Sequence, residues 1–177
     1  MRHLIVHSAV VVAILAAGID ATPALADWSG PFEVHDGDGL IVDGLELRLS
    51  GIDAPEQLQA CQRDGKVWYA GCAARDAVAE MVRGKKVFCR DLGPRTYGRP
   101  VVNCTADGKD LRDMIVRQGW AVDYRKFSGG KYADAEREAR EAGRGIWQGQ
   151  CEKPWDWRAR QPQGWWKRNR CPLDPPK

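Results

Sequence analysis

Between His35 and Glu56 the sequence HDGDGLIVDGLELRLSGIDAPE sets Asp36, Asp38, Asp53 and Glu56 around two short apolar-alternating runs, with Arg48 between them. Carboxylates and backbone carbonyls suit a hard cation such as Ca²⁺, which takes about 6–8 oxygen ligands. An EF-hand does not fit, because Leu40 would fill its fifth loop position and no Glu closes the loop. Asp-Gly pairs are also ordinary turn chemistry, and spacing alone leaves that alternative open. Arg48 lies between Leu47 and Leu49, so on a strand it takes the opposite face from theirs. Arg99 ends the run TYGR. Two guanidiniums reaching a bound cation from different elements would make a phosphate site, since Arg pairs bidentately with phosphoryl oxygens. A lone strand arginine is otherwise a solvated or salt-bridged surface residue. No Ser/His/Asp arrangement competes, and His35 reads as a surface residue or one supporting the site from beside it.

The elements that would carry these groups follow from periodicity. Phe32 and Val34, then Leu40 and Val42, then Leu45, Leu47 and Leu49 alternate as three short strands separated by DGDG and DG turns. A polar loop, EQLQACQRDGKVWYAG, leads to a helix near Ala73–Val82 that Gly84 stops. Strands over Lys86–Arg90 and Pro100–Thr105 come next. A second helix begins at Asp110 as N-cap and ends at Gly119, and a third lies in YADAEREAREAGRG with Gly143 closing it. Five short strands with helices after the third and fifth predict an α+β domain on a small barrel such as an OB-fold.

Composition frames the domain. Arg2, the apolar run LIVHSAVVVAILAAGI and the small-x-small site Ala24-Leu25-Ala26 predict a signal peptide over residues 1–26, cleaved near Ala26. An uncleaved anchor is the alternative, although the apolar run is short for a span of about 20 residues. Nothing after cleavage suggests a membrane span, and the expected location is periplasmic or extracellular. The net charge of +3 says little by itself. It is uneven, because in 151–177 Lys153, Arg158, Arg160, Lys167, Arg168, Arg170 and Lys177 outweigh Glu152, Asp156 and Asp174.

The cysteine count is even, at 6, and in an exported chain it favours disulfides over a metal-thiolate site, for which the spacings are poor. Neighbours are the expected pairs: Cys61–Cys72, Cys89–Cys104 and Cys151–Cys171. The middle pair has its own argument, because KKVFC and RPVVNC read as antiparallel strands that a cross-strand bridge would suit.

DGDGLIVDGLELRLSGIDAPE, YGRPVV, DGKDLRDMIVRQGWA and YADAEREAREAGRGIW, in that order from about Phe32 to Trp147, resemble the thermonuclease (staphylococcal nuclease-like) family. The resemblance implies a five-stranded OB-fold barrel with three α-helices and Ca²⁺-dependent hydrolysis of DNA and RNA. It implies that Asp38, Asp53 and the Ala54 carbonyl ligate calcium, and that Glu56 orients or deprotonates the attacking water. It further implies that Arg48 and Arg99 grip the phosphate, and that Tyr124 packs against the substrate nucleotide. These roles meet what water attack on a phosphodiester needs: a more basic nucleophile, charge neutralisation and positioning. Single-stranded nucleic acid is the expected form, because an OB groove works through stacking and backbone charge; a monomer is expected. Two positions depart from the pattern. Gly39 follows Asp38 where the family usually has Thr or Ser, and Arg95-Thr96 stand where an acid commonly precedes Tyr-Gly-Arg.

The expected organisation is a nuclease domain over 27–150 and an irregular, disulfide-closed Trp- and Arg-rich extension over 151–177. There Trp155, Trp157, Trp165 and Trp166 interleave with basic residues, either as a surface for an anionic polymer or as aromatics packed on the barrel. A second functional reading is a binding or envelope protein linked to exopolysaccharide (succinoglycan) biosynthesis, because some secreted relatives carry such names. A third is a structural envelope protein whose acids merely bind calcium.

Overall fold

The structure, a computed structural model, describes residues 26–164 and 170–171. The expected leader, apart from Ala26, and Trp165 and Trp166 lie outside these residues. Strand β1 (Asp27–Gly30) precedes three strands at the sites of the period-two runs: β2 (Glu33–Asp36), β3 (Gly39–Val42) and β4 (Leu45–Leu49). The two-residue β5 (Ile52–Asp53) leads to a hairpin of β6 (Ala60–Arg63) and β7 (Lys66–Tyr69). Helix α1 (Ala70–Val82) follows, then the long hairpin β8 (Val87–Thr96) and β9 (Arg99–Ala106). Beyond these come β10 (Lys109–Asp110), α2 (Leu111–Arg117), β11 (Val122–Asp123), α3 (Arg125–Ser128) and α4 (Ala133–Glu141). A 3₁₀ turn (Gly145–Gln148) and α5 (Pro154–Ala159) complete the described chain.

The main sheet runs β1-β8-β9-β4-β3-β2, with β10 on β9. Its arrangement is set by one parallel pairing, β4 with β9, in which Arg48 lies opposite Val101 and Leu49 opposite Val102. Side chains alternate along each strand. Leu47 and Leu49 on β4, and Val102, Cys104 and Ala106 on β9, therefore enter the core, while Glu46, Arg48, Arg99 and Val101 share the other face. Against the core side, α1 lays Ala74, Val78 and Val82 at four-residue spacing, and α2 adds Leu111, Ile115 and Val116. Leu40, Leu47 and Leu49 are almost wholly buried, so truncating any one to Ala would cost about 2–5 kcal/mol.

The mixed α+β class is as expected, and the sheet-rich core is consistent with an OB-like fold. The element counts are corrected. Among the described residues there are five α-helices rather than three, and the pairings give a 7-stranded sheet with β1 and β2 at its edges rather than a closed five-stranded barrel. The loop after Glu56 contains the β6–β7 hairpin, turned by Asp64 and Gly65 with φ of 52° and 72°, the left-handed pair a two-residue hairpin turn requires. The tail is not wholly irregular, because Pro154 opens α5 at a position where its missing N–H costs no hydrogen bond.

The disulfide pairing is also corrected. Cys89–Cys104 forms, and these residues are directly opposed on β8 and β9. The other bridges are Cys61–Cys151 and Cys72–Cys171, not Cys61–Cys72 and Cys151–Cys171. Cys61 sits on the β6–β7 hairpin and Cys72 in the first turn of α1, so each faces a different part of the tail. Both bridges tie residues beyond 150 back to the body of the domain.

Candidate active site

Each acid of the opening motif has a separate anchor. Asp36 closes β2, and its Oδ1 accepts from the Asp38 backbone N–H at 3.1 Å. Asp38, in the β2–β3 turn, accepts from the Ala54 N–H through Oδ2 at 2.6 Å, which ties it to the segment after β5. Asp53 is held by the pairing of β5 with β11, where it opposes Val122, and its residue exposure is 0%. Glu56 lies in a loop closed by the Gln59 N–H donating to the Glu56 carbonyl at 2.7 Å. The first turn of α1 presses against this loop. A Cβ on Gly71 would stand 1.8 Å from the Glu56 carbonyl oxygen, so only glycine fits there.

Arg48 unites the acids. Its guanidinium donates to Asp53 Oδ1 at 2.7 Å and to the Ile52 carbonyl at 3.0 Å, and it also pairs with Asp38. Asp38 and Asp53 therefore converge on one guanidinium, that of Arg48. Two carboxylates brought to one positive group offer hard oxygen donors of the kind a divalent cation takes. Among the described residues, no group of three or more His, Cys, Asp or Glu is assembled as a metal site.

Arg99 projects from the same sheet face and pairs through Nη1 with Glu46 at 2.7 Å, leaving its buried Nε without a hydrogen-bond partner. These groups border a cleft of about 870 Å³. Arg48, Arg99 and Glu56 line it, together with Leu92, Arg95 and Tyr97 of the long hairpin and Tyr124 and Phe127 around α3. Arg95 is braced by Asp91 through contacts at 2.8 and 2.9 Å, and these hydrogen bonds hold the Asp91 carboxyl below the ordinary range. His35 also lines the cleft, 3.7 Å from Glu46 and 2.7 Å from Arg170.

Sequence reasoning missed one residue of this cluster. Arg158, from α5, donates to both oxygens of Asp53 at 3.1 and 2.8 Å and to Glu56 Oε1 at 2.8 Å. Burial raises the pKa of Glu56, and Asp36 adds to this while Arg158 opposes it. Tyr124, the expected nucleotide contact, stacks on Trp155 of the same helix, with ring centroids 5.0 Å apart and planes inclined by 14°. Trp157 is buried. The described part of the tail thus packs on the domain. The only cue to Arg158 in the sequence was the basic character of the tail, which does not distinguish it from its neighbours.

Arg48, Glu56 and Arg99 therefore line one cleft, and Asp38 and Asp53 are buried and paired to Arg48, with the Ala54 backbone bonded to Asp38. Residues 46–149 match the family model described as staphylococcal nuclease homologue, more than half of the chain. The chain belongs to the staphylococcal nuclease family. Similar members include the "Succinoglycan biosynthesis protein ExoI" of Rhizobium meliloti (strain 1021), 35% identical over 70% of this chain and 66% of that protein. The "Probable staphylococcal-like nuclease CAN2" of Oryza sativa subsp. japonica is 33% identical over 70% of this chain and 32% of its own length. The "Staphylococcal-like nuclease CAN1" of Arabidopsis thaliana is 34% identical over 64% and 33%. This staphylococcal nuclease homologue thus spans just under two thirds of the first relative and about a third of the plant ones.

Proposed function

We propose that the protein is a Ca²⁺-dependent phosphodiesterase that hydrolyses DNA and RNA. The observation that carries this reading is the convergence of Asp38 and Asp53 on Arg48, with Glu56 and Arg99 at the same cleft. Asp38, Asp53 and the Ala54 carbonyl would hold the calcium ion, which supplies positive charge at the reacting phosphate. Glu56 takes a proton from water as its oxygen attacks phosphorus. Its carboxyl, more basic than usual through burial, suits that task. Arg48 and Arg99 place guanidinium donors against the phosphoryl oxygens and stabilise the charge that grows there as the P–O bond to the leaving group breaks.

Single-stranded nucleic acid is the favoured substrate. The cleft is bordered by the exposed rings of Tyr97 and Phe127, with Tyr124 stacked on Trp155 beside them, an aromatic surface next to the arginines that suits sequence-tolerant base contacts. The unit performing this chemistry is residues 27–150, acting as a monomer, with 151–177 as an extension. Removal of the leader near Ala26 would place it in the periplasm or outside the cell. Three disulfides are compatible with such a compartment, and among the described residues no helix is long and apolar enough to cross a membrane.

Purified protein should cleave denatured DNA and RNA with Ca²⁺ and lose that activity in chelator. Glu56→Gln should lower the rate by about 10²–10⁴-fold. Cleavage that survives both would overturn the mechanism. A second reading is favoured by the name of the Rhizobium relative: an envelope or binding protein linked to succinoglycan synthesis, with little nuclease activity. Titration with acidic polysaccharide and with single-stranded DNA separates the two.

A further inference from the structure

We propose that Arg158 is a resident counter-cation of the site and that it competes with the divalent cation for Asp53. This rests on the calcium reading above. A guanidinium on an exposed terminal helix is ordinarily solvated, and its ion pairs contribute little. Arg158 differs in position and in partners. Its side chain is 20% exposed, and it engages both oxygens of a carboxylate that is itself fully buried. It also bridges from that carboxylate to Glu56.

The placement is imposed by several independent contacts. Cys151, just before α5, is bonded to Cys61, and Cys171 is bonded to Cys72. The Gln59 side-chain amide donates to the Glu152 carbonyl at 2.8 Å, and Gln57 Oε1 accepts from the Cys171 N–H at 2.9 Å. Trp157 is buried and Trp155 stacks on Tyr124. The loop that carries Glu56 and the helix that carries Arg158 are thus fastened to each other on either side of the ion pair.

Charge explains what Arg158 does there. Asp36, Asp38, Asp53 and Glu56 crowd a space of low exposure, where unpaired carboxylates are costly. Arg48 neutralises part of that charge, and Arg158 neutralises more between Asp53 and Glu56. Yet a cation held by Asp53 would draw on the same two carboxylate oxygens that Arg158 engages. Asp53 Oδ1 already accepts from both Arg48 and Arg158, and Oδ2 accepts from Arg158, so a cation at these oxygens has to compete with the Arg158 guanidinium for their lone pairs. If Arg158 is seated about nine-tenths of the time, the apparent cation affinity falls about tenfold.

Calorimetric titration of the full protein with CaCl₂ tests this, comparing wild type with Arg158→Gln and Arg158→Lys. The Gln variant should bind Ca²⁺ about tenfold more tightly. The Lys variant, which keeps a charge but loses the two-pronged geometry, should fall between. Thermal melting without Ca²⁺ verifies that each variant is folded. The double variant Cys72→Ser/Cys171→Ser, which loosens the tail without touching an acid of the site, should also bind more tightly. Equal or weaker affinity in folded Arg158→Gln would overturn the counter-cation while leaving the calcium reading intact. No Ca²⁺ binding by any form, wild type included, would overturn both.

Discussion

The backbone of Gly39 passes so close to Asp36 that a Cβ there would stand 2.7 Å from Asp36 Oδ1. The same oxygen accepts from the Asp38 N–H, so it is not free to retreat. A β-carbon at this point requires the Asp36 carboxylate to move, so glycine here goes with the aspartate three residues earlier. Gly39→Thr should therefore destabilise the protein by about 1–3 kcal/mol in urea unfolding, through overpacking. With Asp36→Ala the penalty should shrink, giving a coupling of at least about 0.5 kcal/mol in a double-mutant cycle. Simple additivity would count against the clash.

Arg99 faces the cleft with one nitrogen on Glu46 and its Nε unbonded. Lysine cannot reproduce a planar fork. Arg99→Lys should lower kcat on denatured DNA by about 10²–10³-fold while KM changes little, as expected for a contact made chiefly in the transition state. A change confined to KM would make Arg99 a ground-state binder instead.

Two of the bridges reach far along the chain, with sequence separations of 90 and 99 against 15 for the cross-strand pair. Proteolysis under non-reducing conditions followed by mass spectrometry should yield linked peptides containing Cys61 with Cys151 and Cys72 with Cys171. Removing Cys72–Cys171 by paired serine substitution should cost about 2–5 kcal/mol in denaturant unfolding.

Asp110 caps α2 and collects the Arg112 guanidinium, Lys131 and the Tyr132 hydroxyl. Burial works against its charge, but the Arg112 and Lys131 contacts prevail and hold its pKa down to about 2. The folded-state value lies below the unfolded value of about 3.9, so the stabilisation is fully present above the latter. It is lost as pH falls through the folded value. Allowing for solvent screening, it amounts to about 1–2 kcal/mol. Wild type should lose that much between pH about 5 and about 2, measured by urea unfolding. Asp110→Asn, which still caps the helix, should lack this part of the slope.

The α+β class and the nearness of Asp38, Asp53, Arg48 and Glu56 were legible because they sit in local patterns: alternating strands and Asp-Gly turns. The Cys89–Cys104 bridge was legible for the same reason, since a hairpin register can be read from two facing strands. The other bridges depend on where α1 and the β6–β7 hairpin meet the tail, which nearness in sequence misjudges. That hairpin itself carried a signal, Asp64-Gly65, but its strands mix charged and apolar residues and hide the alternation. Arg158 had no local signature. Its role comes from a contact with Asp53 across a separation of 105 residues.

The parallel pairing of β4 with β9 has a consequence in time rather than space. Glu46 and Arg99 are 53 residues apart, and between them the chain must complete α1 and turn the β8–β9 hairpin before they meet. Contacts of this range form late, after the entropy of closing the loop has been overcome. An unfolded chain holds all the residues of the cleft and none of its geometry. Whatever chemistry the cleft performs is silent until folding is nearly done.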